Sequence, residues 1–353
     1  MKIKLAILEK DAAYLNRVVS VFSTKYAENF EIYSFTSQDT ALATLGEAKI
    51  DVLLADDSYE IDPKQLPRRC AMAYFVESAD IEMLRDQPAI FKYQKIDLIY
   101  KQILSIYAEK ASSVSGLRMN DDSCKVVAFC SAAGGVGSSS LAAACAMSFA
   151  ARGSRTIYLN LEKFGSSEVF FSGEGQFTMS DVVFAIKSRK SNLALKLESF
   201  VRKDPCGVFF FEPSRLALDV IELSSEEIIR LVTELQVTGS YEYIVLDCDF
   251  ALDRGALNIF RKTHALILVS DGSEIANIKT TRAVEALTTV EQNEDAPLTN
   301  RLKLIYNRFS NKSGRALDNR GVPELGGAPR YGQATTREII RQLSGMRLFD
   351  QIL

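Results

Sequence analysis

Short apolar segments alternate with helical patterns along almost the whole chain, and this alternation restricts the fold more than any other feature of the sequence. The first series extends from Ile3 to Ala108, and a second series begins at Val126–Cys130. Strands that alternate with helices are typical of βαβ units and of parallel sheets covered on both faces. The sequence therefore predicts an α/β fold with two tandem doubly wound three-layer domains.

The boundary between the two domains is predicted from a local change in composition. Residues 111–123 read ASSVSGLRMNDDS, which is polar, rich in serine and nearly free of large apolar side chains. Such a composition is typical of a linker. We therefore expect a domain at residues 1–110, a linker at 111–123 and a second domain at 124–353. At roughly 150 residues per domain, each part is long enough to bury its own core.

Composition and charge argue against several classes of protein. The longest apolar runs, such as Val208–Phe211, are far shorter than the roughly 20 residues that span a bilayer. The N-terminal sequence MKIKLAILE lacks the pattern of a signal peptide. A net charge of −3 argues against nucleic acid as a main partner, because phosphate neutralisation drives that binding. The six cysteines have neither disulfide nor metal-ligand spacing, which is typical of proteins in a reducing cytoplasm. Together, these features lead us to expect a cytoplasmic protein with no transmembrane segment.

A glycine-rich turn joins the strand at residues 126–130 to a helix of small residues. The stretch Val126–Met147 reads VVAFCSAAGGVGSSSLAAACAM. Gly134, Gly135 and Gly137 permit a tight turn whose amide hydrogens converge on one point, and the helix start adds a positive dipole end. The pattern predicts an anion cradle. Taken alone, it is equally compatible with a turn that only packs a helix against a sheet.

Two later segments favour the anion cradle. Tyr241–Phe250 reads YEYIVLDCDF, a buried strand that ends in Asp247, and Leu302–Phe309 reads LKLIYNRF and carries Asn307. Magnesium prefers hard oxygen ligands such as a carboxylate, and an asparagine side chain can donate and accept at the edge of a purine. Each of the two residues could instead cap a turn.

With these segments in this order, the chain resembles the ParA/MinD superfamily of P-loop ATPases. Within it, the resemblance is to the CpaE/TadZ branch of Flp (Tad) pilus assembly, whose members combine an atypical loop with an N-terminal receiver-like domain. The resemblance covers nearly the whole chain and implies a CheY-like receiver-like domain, a ParA/MinD-like P-loop domain, and ATP and Mg²⁺ as ligands. The nucleotide-binding residues that it implies are Ala133, Gly134, Gly135, Val136, Gly137, Ser138, Ser139, Ser140, Asn307, Arg308 and Pro329, with Arg330 beside them, and the Mg²⁺ ligands are Ser139 and Asp247.

The chain departs from the superfamily pattern at positions that normally carry charge. Ala133 and Ser138 stand where relatives have lysines before and after the glycines, and Asn160 and Glu162 stand where they have aspartates. Phosphoryl transfer depends on electrostatic stabilisation, so these changes should harm turnover more than affinity. Glu162 is the candidate catalytic residue, and Lys163 could replace part of the missing charge. We expect ATP binding with slow or absent hydrolysis.

The N-terminal segments IKLAILEKD and DVLLADD resemble the first and third strands of a response-regulator receiver. Asp56 matches the phosphoacceptor, Lys92 matches the lysine of that family, and Glu9 fills the first of its two acidic positions. Lys10 fills the second, and a lysine beside a Mg²⁺ site opposes the cation. We therefore expect a degenerate receiver used for docking or dimer contacts. Phosphorylation of Asp56 is the alternative.

Together these features predict a cytoplasmic, ATP-binding homodimer of the CpaE/TadZ type, concentrated at a cell pole, where it positions pilus assembly proteins. Two other functions stay open. An active ParA-like partitioning ATPase is disfavoured by the missing lysines and the acidic charge balance. A phosphorylation-controlled signalling protein that uses Asp56 is disfavoured by Lys10.

Overall fold

The structure is a computed structural model that describes residues 2–110, 124–188, 192–292, 297–310, 312, 314–317 and 321–352. The chain divides into two compact units, of which unit 1 consists of Met1–Gly116 with Lys190–Ser199, and unit 2 of Leu117–Arg189 with Phe200–Leu353. The predicted linker at 111–123 lies outside the described residues. The exact domain boundaries therefore stay a prediction.

Unit 1 contains a six-stranded sheet with helices packed on it. Its strands are β1 (Ile3–Leu8), β2 (Phe30–Phe35), β3 (Val52–Asp56), β4 (Ala71–Val76), β5 (Met83–Leu84) and β6 (Gln87–Phe91). Its first three helices are α1 (Ala12–Lys25), α2 (Gln38–Glu47) and α3 (Ile96–Lys110). The strand order is β2-β1-β3-β4-β6-β5, and neighbouring strands are parallel except for β5 and β6. This confirms the predicted doubly wound sheet.

Local signals explain the start of α1 and the face that it buries. The Asp11 side chain accepts hydrogen bonds from the backbone amides of Ala13 and Tyr14, which caps the helix. Leu15, Val18 and Phe22 are its buried residues, and their spacing places them on one face of the helix. Asp11 therefore acts as a helix cap, two residues after Glu9, which directly follows β1.

Unit 2 contains an eight-stranded sheet. Its strands are β7 (Lys125–Cys130), β8 (Thr156–Asn160), β9 (Arg202–Lys203), β10 (Phe209–Phe210), β11 (Tyr243–Asp247), β12 (Ala265–Ser270), β13 (Leu302–Phe309) and β14 (Glu324–Pro329). The helices that follow α3 in the chain are α4 (Ser138–Ala151), α5 (Met179–Lys187), α6 (Leu193–Phe200), α7 (Ala217–Ile221), α8 (Ser225–Val237), α9 (Arg254–Phe260), α10 (Glu274–Val290) and α11 (Thr336–Ser344). All of α6 except Phe200 belongs to unit 1.

The sheet of unit 2 has the order β14-β13-β12-β7-β11-β8-β10-β9, in which only β9 and β10 pair antiparallel. Helix α4 is buried on nearly all sides, with every residue from Leu141 to Ala146 buried, because it packs between this sheet and α11. Its small side chains permit that close packing. Among the described residues, no helix is both long and apolar enough to cross a membrane.

Three segments of unit 2 form short or irregular elements. Only Phe209 and Phe210 of the apolar run Val208–Phe211 form a strand. The edge strand β14 has an irregular register with β13. The last helix, α11, ends at Ser344. These elements depend on pairing and packing with neighbours rather than on their own propensity.

Candidate functional site

The carboxyl ends of β7, β8 and β11 meet at one edge of the unit 2 sheet. Because β11 pairs with both other strands, Asp247 lies beside Phe129 on one side and Asn160 on the other. The outer edge of a parallel α/β sheet, at the carboxyl ends of the strands, is where such folds bind ligands. The structure therefore brings the glycine loop, Asp247 and the segment after β8 to one place.

The glycine loop has a conformation that requires glycine at two positions. Gly135 and Gly137 have φ angles of +79° and +86°, in the left-handed region that side chains disfavour. A Cβ atom on Gly137 would lie 2.3 Å from Asn307 Nδ2, whereas Gly134 and Gly135 have open space. Directly after Gly137, at the start of α4, the buried hydroxyl oxygen of Ser138 has no hydrogen-bond partner among the described residues. These features fit an anion at the helix N-terminus.

Asp247 is a fully buried carboxylic acid at the end of β11. The Tyr158 hydroxyl donates to Asp247 Oδ2 at 2.6 Å, and Asn160 Nδ2 donates to the same oxygen at 3.2 Å. The other oxygen, Oδ1, has no partner among the described residues. Burial, together with the nearby charge of Glu162, raises the pKa of Asp247 to about 8. A cation at this position would pair with the free oxygen and offset the cost of burial.

Ser139 and Glu162 complete an oxygen-rich cluster with Asp247. Ser139 Oγ donates to Glu162 Oε2 at 3.2 Å, and Asn160 Nδ2 lies 3.4 Å from the same oxygen. Magnesium is commonly held by one or two carboxylates with phosphate and water oxygens, so this cluster fits that ion. The part of the chain that the structure describes has no group of three His, Cys, Asp or Glu side chains for a metal held by protein alone. Sequence reasoning connected Glu162 with catalysis and missed its contact with Ser139.

Asn307 and Arg308 contact the glycine loop itself. Asn307 is buried, and its Nδ2 donates to the carbonyl oxygens of Val136 at 2.9 Å and Gly137 at 3.3 Å. Arg308 Nη1 donates to the carbonyl oxygen of Gly135 at 2.9 Å. The sequence predicted that Asn307 contacts the edge of a purine and that Arg308 binds the nucleotide, but it did not predict these bonds. The contact with the base stays a prediction.

The remaining predicted binding residues separate into two groups. The side chains of Ala133 and Val136 are buried in the apolar core, so only their backbone can take part in binding. The predicted binding residues of the second group line a cavity of about 300 Å³ beside the start of α4. Its lining residues are Ser140, Asn307, Arg308, Pro329, Arg330, Tyr331, Thr336 and Ile339. Lys163 instead lines a smaller cavity, of about 90 Å³, beside Glu162.

In unit 1, the acidic residues predicted for a receiver are paired with lysines. Lys92 Nζ lies 2.9 Å from Glu9 Oε2 and also contacts Asp56, and Lys10 Nζ lies 3.5 Å from Asp56 Oδ1. Burial acts to raise the pKa of Asp56, but hydrogen bonds from Lys92 and Ser58 prevail and hold that pKa well below its usual range. Two lysines thus offset the charges of these two carboxylates, which opposes the binding of a divalent ion by Glu9 and Asp56.

Comparisons with known proteins found one matching family and several solved structures. The family described as "TadZ-like, receiver domain" matches residues 1–108. A ParA family ATPase from Chlorobium tepidum has a TM-score of 0.51 at 18% identity, covering 66% of this chain and 97% of its own. MinD from Pyrococcus horikoshii, solved with Mg-ADP, has a TM-score of 0.47 at 16% identity, covering 63% and 94%. No curated protein matches the chain.

These findings confirm the fold class predicted from the sequence, a receiver-like domain together with a ParA-type α/β fold. The family match concerns residues 1–108, and the similarity to the ParA family structure, at 18% identity, concerns the fold alone.

Proposed function

We propose that this chain, which has a TadZ-like receiver domain and a ParA-type fold, is an ATP-binding, dimer-forming positioning protein of the CpaE/TadZ type. It acts at a cell pole in Flp/Tad pilus assembly and hydrolyses ATP slowly or not at all. The receiver family and the ParA-type fold support the ParA/MinD-like positioning role. The nucleotide, the dimer and the pilus are the further steps of the proposal.

The observation that carries nucleotide binding is a pair of buried oxygens, Ser138 Oγ at the glycine loop and Asp247 Oδ1 at the end of β11, that have no hydrogen-bond partner in the described part of the chain. An unsatisfied buried polar group costs about 1–3 kcal/mol, so native structures rarely leave one without a partner. Asp247, Glu162 and Ser139 would hold Mg²⁺, which supplies positive charge to phosphate oxygens. The amides of the glycine loop would bind the phosphates themselves.

Slow hydrolysis follows from the chemistry of the side chains around the loop. Ala133 and Ser138 carry no charge, so neither stabilises the charge that develops on a transferred phosphoryl group. Asn160 cannot act as a base, and it is fixed by hydrogen bonds to Tyr158, Glu162 and Asp247. Backbone amides still bind phosphates in the ground state, so affinity should survive the loss of turnover.

Exposed apolar side chains near the same edge support self-association. Phe164 is 80% exposed, Phe184 is 69% exposed, and Leu216 and Leu218 are more than 60% exposed. Phe164 borders the cavity beside Glu162 together with residues of α7, and α7 packs on α5, which carries Phe184. Clustered exposed apolar groups mark interaction surfaces. We infer that a second copy covers them in a two-fold, isologous dimer.

Nucleotide retention by the purified protein tests the binding site. We expect extracted nucleotide to be ATP or ADP in wild type, and to be absent from Asp247→Ala and Gly135→Val. Gly153→Val is the matched control, because Gly153 also has a positive φ and open space around its Cβ position but lies at the far end of α4. Unchanged occupancy in both site variants would contradict the proposal.

Hydrolysis and localisation test the rest of the proposal. ATP turnover should stay slow with and without DNA, whereas stimulation by DNA would favour the partitioning ATPase. Loss of the chain from its host should abolish Flp/Tad pili, and a fluorescent fusion should concentrate at a pole. Normal piliation without the chain would refute the pilus assignment.

A further inference from the structure

Arg308 has a backbone conformation that its own side chain disfavours. Its φ angle is +54°, in the left-handed region that residues with a Cβ atom rarely adopt. The register between β13 and β14 shifts between Tyr306 and Phe309, so the strand is irregular at this position. Such strain persists only where the surroundings fix it, and it concentrates at functional sites. Here the buried Asn307, bonded to two carbonyl oxygens of the glycine loop, fixes the chain on the N-terminal side.

The strained backbone places the Arg308 guanidinium against the glycine loop. Nη1 donates to the carbonyl oxygen of Gly135 at 2.9 Å, and Nε lies 3.8 Å from where a Cβ atom of Gly137 would be. An arginine has five N–H donors, and the bond to Gly135 uses one of them. The Arg308 side chain is exposed and lines the cavity of about 300 Å³. A permanent positive charge therefore lies beside the loop, and four of its N–H donors have no hydrogen bond to the described residues.

The Arg308 side chain belongs to a segment that is far along the chain from the residues that flank the loop glycines. Ala133 and Ser138, which flank the loop glycines, are neutral. Arg308 approaches the same loop from β13, which is separated from β7 by β12 in the sheet. A planar guanidinium can donate two parallel hydrogen bonds to phosphate oxygens and keeps its charge at any physiological pH.

We infer that Arg308 binds the phosphate tail of the nucleotide rather than its base, and supplies the positive charge that Ala133 and Ser138 lack. This inference rests on the nucleotide binding proposed above. Asn307 acts as the positioning residue, because its bonds to Val136 and Gly137 fix the neighbouring backbone to the loop.

Calorimetric titration with Mg·ATP, adenosine and tripolyphosphate tests the inference. Arg308→Gly removes the charge and also relieves the positive φ, so the variant should fold, which its melting temperature checks. We expect it to weaken ATP and tripolyphosphate binding by about tenfold or more, the range for hydrogen bonds to charged groups, and to leave adenosine binding unchanged. Arg308→Lys should recover part of the loss. Arg341→Ala, which removes an exposed arginine of α11 outside that cavity, should alter the ratio of ATP to adenosine affinity by less than twofold.

The possible failures are distinguishable. Wild type that binds neither ATP nor tripolyphosphate would refute the proposed nucleotide site and this inference with it. Wild type that binds ATP, with Arg308→Gly weakening ATP and adenosine equally, would mean that Arg308 contacts the base and would overturn only the inference. If Arg341→Ala lost as much ATP preference as Arg308→Gly, the effect would come from general positive charge on the protein, and the inference would also be overturned.

Discussion

Replacing each glycine of the loop by alanine gives a graded test of the loop geometry, because each variant adds a single Cβ atom in a different setting. Gly134 has no positive φ and no atom within 4 Å of the added Cβ. Gly135 has a φ of +79° but open space. Gly137 has a φ of +86°, and its added Cβ would lie 2.3 Å from Asn307 Nδ2.

The expected costs follow from these three settings. Gly134→Ala should change the free energy of unfolding by no more than about 0.5 kcal/mol, as for ordinary surface substitutions. Gly135→Ala should lose about 1 kcal/mol from the left-handed backbone alone. Gly137→Ala adds the displacement of the buried Asn307 amide from Val136 and Gly137, worth a further ~1–3 kcal/mol. Its total loss is therefore about 2–4 kcal/mol.

Thermal and urea unfolding of the nucleotide-free protein measure these differences. The sequence contains no tryptophan, so far-UV circular dichroism is the suitable signal. At about 2–4 °C per kcal/mol for a domain of this size, Gly137→Ala should melt roughly 4–16 °C below wild type, and Gly135→Ala roughly 2–4 °C below. The Gly134→Ala variant serves as the control for adding a methyl group to the loop.

A double-mutant cycle isolates the contact with Asn307. In an Asn307→Ala background, the clash is absent, so Gly137→Ala should cost only about as much as Gly135→Ala does in wild type. If Gly135→Ala and Gly137→Ala destabilise wild type equally, or if the cycle shows no coupling, the close approach of Asn307 does not hold the loop and the reasoning fails.

Three further predictions concern the receiver unit and the thiols. Incubation with a small phosphodonor and Mg²⁺ should leave the protein mass unchanged, because Lys10 and Lys92 already pair with Asp56. A phosphoryl adduct that forms on wild type but not on the Asp56→Ala variant would contradict this prediction. Because the folded-state pKa of Asp56 is lowered, the ionised carboxylate stabilises the fold fully above about pH 4, and this contribution is lost on further acidification. The free energy of unfolding should therefore fall less steeply below pH 4 in Asp56→Asn than in wild type. Burial raises the pKa of Cys70 to about 11 and of Cys124 to about 12, so native protein at neutral pH should alkylate far more slowly than urea-unfolded protein; equal rates would refute their burial.

Local patterns in the sequence were sufficient for the fold class and for the segments nearest the sheet edge. The strand, glycine turn and small-residue helix at 125–151 form as expected, and Asp247 ends a buried strand as predicted. These features are local, because hydrophobic periodicity and turn residues reflect the conformation of neighbouring residues. Local patterns did not predict the edge strands β9 and β14, because the stability of these strands comes from pairing with adjacent strands.

The tertiary structure alone decided which polar groups meet. Asn307 bonds to the carbonyl oxygen of Val136 across 171 residues of sequence, and Arg308 bonds to that of Gly135 across 173. The contact of Ser139 with Glu162 likewise joins two elements that no local pattern connects. Such contacts depend on strand order, register and a positive φ at one arginine, and these are set by packing of the whole sheet. The amino-acid sequence by itself therefore determined the fold class and the glycine loop, whereas the folded chain determined which charged side chain lies beside that loop.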